Sequence, residues 1–216
     1  MVVLTMTCLS MSDLSGAAIG ITEVIVAPVF WSAAFIMLLV VPLVTMRLIS
    51  EERRNRTQAL LFSAPISMTE IVLGKYLGVL AFLGIMLALI SLMPLSLLGA
   101  GSLDPGQFAA GLLGLFLMLA AFAAAGLFMS TLTSHPAVAA VSTFGFFLLL
   151  WIINGLGRSG TDEAAAKLFD YLSLQGHYQS LLRGIFDTGD VIYYLLFIIT
   201  FLTLSVRRLD ADRLQS

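Results

Sequence analysis

Two histidines, one cysteine and thirteen carboxylates make up this chain's acid-base, nucleophilic and metal-ligating inventory. Their spacing builds no reactive constellation. His135 precedes Pro136 in a short turn and His177 stands beside Tyr178 in a long loop, so neither is expected at bilayer depth. The sequence has no H-E-x-x-H pair, no paired-Asp motif and no serine set against a histidine or lysine within an apolar stretch, so the usual routes to intramembrane hydrolysis are closed. Cys8 is single, which excludes an internal disulfide and a CxxC motif, and it reads as a small apolar residue in a hydrophobic segment. A phosphate loop is missing too: Gly74-Lys75 is followed by Tyr76, and Thr69 stands where the first glycine of G-x-x-x-x-G-K-[ST] belongs. The chain is expected to be no enzyme and to hold no catalytic, cofactor-binding or metal residues of its own.

What it has in quantity is hydrocarbon. The 216 residues are 59% hydrophobic and 11% charged, with a mean hydropathy of +1.02, against about 45–50% apolar and about 25% charged in soluble domains. The apolar residues run in blocks near the ~20 residues that a helix needs to cross ~30 Å of hydrocarbon. Such blocks are too long and too uniform for barrel strands, which alternate over about ten residues. With a net charge of −2 and no basic face, nucleic acid is excluded as a partner.

The fold class predicted is therefore all-α: a polytopic transmembrane helical bundle, one domain over 1–216, with five full spans at 24–46, 71–98, 108–129, 137–156 and 191–206. Residues 1–11 are apolar but short, and no Lys or Arg precedes them as in a signal peptide, so they are expected as a partial further span. Arg47, Arg53, Arg54, Arg56, Lys75, Arg207, Arg208 and Arg213 are eight of the eleven basic residues, and all flank the same side of these spans. The positive-inside rule makes that side cytoplasmic. Five spans that begin outside end inside, which puts the 207–216 tail in the cytoplasm and the 158–190 loop outside. Gly74, Gly78, Gly84, Gly111, Gly114 and Gly126 are expected to let helices approach closely.

The least membrane-like stretch is 47–70, RLISEERRNRTQALLFSAPISMTE. Its first half has helix formers with acids before bases, then Leu60, Leu61 and Phe62, then a break at Pro65. Ser67 and Glu70 are spaced as a capping box that opens the next span. A short helix held between two spans can receive force from a partner.

The run Met46-Arg-Leu-Ile-Ser-Glu51-Glu52-Arg53-Arg54-Asn55-Arg56-Thr57, with Leu60 to Ser67 and Glu70 to Tyr76, resembles the permeases of ABC-2 type exporters. It is most similar to the branch with the gliding-motility and nitrous-oxide-reductase-maturation permeases. Weaker similarity continues at Gly126-Leu-Phe-Met-Ser130 and from His177 to Val191. Arg56 and Ala59 depart from the family, which usually has Gly and Glu there. The resemblance implies six spans in the complete fold and a multi-pass protein of a bacterial or archaeal inner membrane, with its C-terminus cytoplasmic. ATP and Mg would be bound by a separate ABC ATPase subunit, in two copies, beneath this chain and a second permease copy or paralogue. A coupling helix would dock that ATPase through Glu51, Glu52, Arg53, Arg54, Arg56 and Thr57, with Leu60, Leu61, Phe62 and Pro65 packed beneath.

Two other readings fit a polytopic chain. An ion-coupled transporter normally carries ionisable residues at its span centres, whereas here Lys75 is near enough to the interface to snorkel and Ser142 and Asn154 suit bonds between helices. An ABC-type subunit could instead do mechanical work on an envelope partner. The 158–190 loop, with Phe169, Tyr171, Tyr178 and Phe186, suits short amphipathic helices at the outer interface.

Overall fold

The computed structural model describes residues 27–55, 57, 66–95, 105–159, 173–182, 184 and 186–215. Its helices, in chain order, are α1 (Ala27–Thr45), α2 (Ser50–Arg54), α3 (Met68–Leu95), α4 (Pro105–Leu132), α5 (Pro136–Ser159), α6 (Leu174–Leu182) and α7 (Thr188–Gln215). Among the described residues four stretches are helical, long and apolar enough to cross a membrane: Ala27–Arg54, Met68–Leu95, Pro105–Leu132 and Thr188–Leu214. A shorter apolar helix covers Pro136–Ile152. The all-helical polytopic bundle is thus present, while the expected partial span at 1–11 lies outside the described residues.

α4 is the core of the bundle. It touches each of the other six helices, and 67% of its most apolar window is buried, against 22–44% for the other three membrane-length helices. The reason lies in its composition. Met118 to Leu127 is buried on every side, and the run from Ala120 to Gly126 is small except at Phe122, so neighbours close in from all directions. A β-carbon at Gly114 would stand 2.9 Å from Leu181 Cβ, and one at Gly126 only 2.3 Å from Thr45 Oγ1. The expectation for α3 differs: Gly74 and Gly78 have nothing within 4 Å of such a carbon.

The outer faces are inside-out relative to a soluble protein. Ile36, Leu43, Leu77, Leu92, Ile192 and Leu196 are each more than half exposed, which suits hydrocarbon rather than water. Hydroxyls on these helices hide their protons by donating to carbonyls three or four residues back, as Thr45 does to Val41 (2.9 Å), Thr143 to Ala139 (2.7 Å) and Ser205 to Phe201 (2.8 Å). Ser142 follows this pattern, bonding Ala139 in its own helix rather than a neighbour. The capping box is formed as expected: the Ser67 amide donates to Glu70 Oε2 (2.9 Å) and the Glu70 amide to Ser67 Oγ (3.2 Å).

The chain after the last expected span does not leave the bundle as a tail. α7 runs unbroken to Gln215, carried by helix-forming Leu, Arg and Ala and by Leu209, only 2% exposed. That extension brings Asp212 beside α2.

Candidate functional site

α1 ends at Thr45, and a turn over 46–49 redirects the chain into α2. Every helix start leaves amide donors without intrahelical partners, and the N-cap position here is Ile49, which has no side-chain acceptor. α4 supplies one from across the bundle. Ser130 Oγ accepts from the amides of Ile49 and Ser50, each at 3.1 Å, and donates to the Met46 carbonyl at 3.1 Å. A hydroxyl has one proton and two lone pairs, so Ser130 is saturated by the elbow. It is fully buried. Ser50 Oγ donates to the same Met46 carbonyl. Four residues earlier on α4, Gly126 lets Thr45 and the end of α1 lie against the helix.

The charges of α2 divide into two sets. Glu52 pairs with Lys75 of α3, whose ammonium also donates to the Leu48 carbonyl. Arg53 pairs with Asp212 of α7, which is held from its own helix by Arg208 at 3.6 Å. Glu52, Lys75, Arg53 and Asp212 are about a fifth to a third exposed. Glu51, Arg54, Asn55 and Thr57 are exposed on the other side. Of the residues expected to dock a partner, then, Glu52 and Arg53 turn inward and Glu51, Arg54 and Thr57 outward. Arg56, Leu60, Leu61, Phe62 and Pro65 lie outside the described residues.

Three members of this elbow carry roles that their sequence context hides. Lys75 is tied to α2 and to the turn before it. Ser130 sits in the weakly similar Gly126-to-Ser130 stretch with no charge or motif to mark it. Asp212 sits in the tail. The signal available for Ser130 is only that a polar residue stands one turn past a glycine near the end of a long apolar helix.

At the opposite end, α6 packs its Leu174, Tyr178 and Leu181 face into the bundle against α4. His177 Nδ1 lies 2.6 Å from Asp190 Oδ1 at the start of α7, and its ring stacks on Tyr193 with centroids 4.3 Å apart. Tyr194 donates to the Leu174 carbonyl at 2.6 Å. The Tyr178 hydroxyl is buried without a hydrogen-bond partner among the described residues, and burial pushes its phenol above the ordinary range. Phe169 and Tyr171 lie outside the described residues. No group of three or more His, Cys, Asp or Glu able to hold a metal occurs among the described residues.

A family model described as ABC-2 family transporter protein matches residues 15–207. No curated protein and no solved structure matches the chain.

Proposed function

We propose that this chain, which belongs to the ABC-2 transporter family, is the non-catalytic membrane-spanning subunit of an ATP-driven exporter, on the branch with the gliding-motility and nitrous-oxide-reductase-maturation permeases. Membership implies a membrane location and an ABC ATPase partner. In this reading five full spans and a partial first one sit in a bacterial or archaeal inner membrane, with the elbow and the end of α7 in the cytoplasm. ATP and Mg belong to two partner subunits, and a second permease copy completes the complex.

The observation that carries the reading is the division of charge on α2. Its outward Glu51 and Arg54, with Thr57 just past its end, offer a surface for a soluble partner, and its inward Glu52 and Arg53 are tied to α3 and α7. Movement of a docked ATPase would thus be delivered to three membrane-length helices at once, including α4 through Ser130. A merely solvated anchor has no need of the inward set.

The test is affinity purification of the full chain in mild detergent with its co-expressed neighbouring ABC ATPase, followed by ATPase and transport assays. Arg54→Glu is expected to loosen the complex. Arg53→Glu is expected to leave assembly intact and break the link between ATP turnover and transport, and Asp212→Arg in the same chain should restore it. Recovery of the chain alone, without ATP turnover, would count against the exporter reading. Identical behaviour of the two arginine variants would overturn the two-sided α2.

A further inference from the structure

A cavity lies between α3 and α7 at the elbow end of the bundle. It holds about 370 Å³ and is walled by Val72 and Leu73 of α3 and Ile199 and Leu202 of α7, with Thr203 and Arg207 at its rim. That volume falls within the ~300–1,000 Å³ of small-molecule sites, whereas the aromatic pocket beside Trp31 and Tyr178 has room for about 10 Å³, the space of one water. Leu73 and Ile199 are each about half exposed, so the slot opens sideways to the bilayer. Arg207 makes no ion pair among the described residues, although Asp210 stands one turn further along.

We infer that this slot binds an anionic phospholipid of the elbow-side leaflet, one acyl chain between α3 and α7 and the phosphate on the Arg207 guanidinium. The hydroxyls of Thr69 and Thr203 also line the slot, but each is already bonded locally, to Ser67 Oγ and the Thr200 carbonyl, so no convergent polar set orients a polar solute, and the single lining cation sits at the end where a headgroup would be. Basic sites between membrane helices on the cytoplasmic side recognise anionic headgroups in this way, and a guanidinium matches a phosphate with two parallel hydrogen bonds. A second copy of the chain is the other candidate occupant. A symmetric interface would set the same faces against each other, and no acid lines the slot to answer Arg207, since Glu70 and Asp210 stand just outside it. The inference takes the side of the membrane from the exporter reading, but neither ATP nor a docked subunit enters it.

Native mass spectrometry of the full chain in detergent tests it, with phosphatidylglycerol and phosphatidylcholine of identical acyl chains as the probes. The wild type is expected to retain phosphatidylglycerol in preference to phosphatidylcholine. Arg207→Gln should cut that preference about fivefold, the factor of about one cation at a lipid surface, and Arg207→Lys should keep most of it. Ile199→Trp, which fills the slot, should remove bound lipid of both kinds. Arg47→Gln removes an equal charge from the turn after α1 and should change nothing. An unchanged preference in Arg207→Gln, or an equal loss in Arg47→Gln, overturns the site. So does Ile199→Trp if it splits a dimer and leaves the bound lipid unchanged.

Discussion

Removing one hydroxyl from the C-terminal end of α4 should loosen a helix eighty residues away in the chain. Ser130→Ala deletes the only side-chain acceptor among the described residues for the Ile49 and Ser50 amides, both in residues no more than 2% exposed. An N-cap deletion costs about 1 kcal/mol, and a buried donor left unsatisfied costs about 1–3 kcal/mol. Two donors are orphaned here. The Met46 carbonyl is not, because Ser50 Oγ still reaches it. With some water entering from the end of the bundle, the loss comes to about 2–4 kcal/mol, concentrated at the elbow. That corresponds to roughly a 30- to 700-fold rise in local opening.

Hydrogen exchange read by mass spectrometry on the full chain in nanodiscs measures this directly. Peptides covering 46–55 should exchange faster by that factor in Ser130→Ala, while peptides from the middle of α4 stay protected. Ser130→Thr keeps the hydroxyl and should retain most of the protection. Thr131→Val is the matched control, since Thr131 Oγ1 bonds the Phe128 carbonyl of its own helix at 2.6 Å and serves no other element. Equal elbow protection in Ser130→Ala and the wild type would refute the assignment of Ser130 as the external cap of α2. A loss of protection spread evenly along α4 would do so as well, because it would mark general destabilisation.

Other substitutions test the packing. Gly126→Ala puts a methyl where only 2.3 Å separates it from Thr45 Oγ1, so α1 and α4 must part at a cost of about 1–3 kcal/mol. Unfolding in detergent should show it, and Thr45→Gly should recover part of the loss. Gly78→Ala, in open space, should be neutral or slightly stabilising through helix propensity. Two tyrosines should respond with opposite signs to the same change. Tyr178→Phe removes a buried, partnerless hydroxyl and should stabilise by about 1 kcal/mol, whereas Tyr194→Phe gives up the bond to the Leu174 carbonyl and should cost about 1 kcal/mol. Shifts of the same sign in the two variants would show that their hydroxyls do not differ in satisfaction.

Features that depend on neighbours in the chain were legible before any coordinates. Hydropathy over ~20 residues marks membrane helices because bilayer thickness sets their length. The Ser67–Glu70 box is legible because its two bonds close within one turn. The acid-then-base order of Glu51 to Arg54 announces a helical turn, but not which charges face inward, since that depends on where α3 and α7 pass. Lys75, Ser130 and Asp212 were not legible as parts of one site for the same reason. They lie 23, 81 and 159 residues from their partners Glu52, Ile49 and Arg53, and nothing periodic links such distances. The length of α7 was hidden by its charges, which mark the end of the membrane but not the end of the helix.

These long-range ties decide what α2 is. A helix of five residues cannot hold itself together, because nucleation fixes several backbone angles for each of its first hydrogen bonds. Its position must therefore be imposed, and Ser130, Lys75 and Asp212 impose it from α4, α3 and α7. A part held only by others reports their positions, and linkage makes the report reciprocal: whatever moves α2 also biases the helices that hold it, by the same free energy. Placing a partner's contacts on the outward face of that element would turn a packing necessity at a break between two helices into a route for force. The saturated Ser130 hydroxyl is what separates this arrangement from a solvated loop with the same charges, whose backbone donors would be met by water and whose displacement would reach nothing.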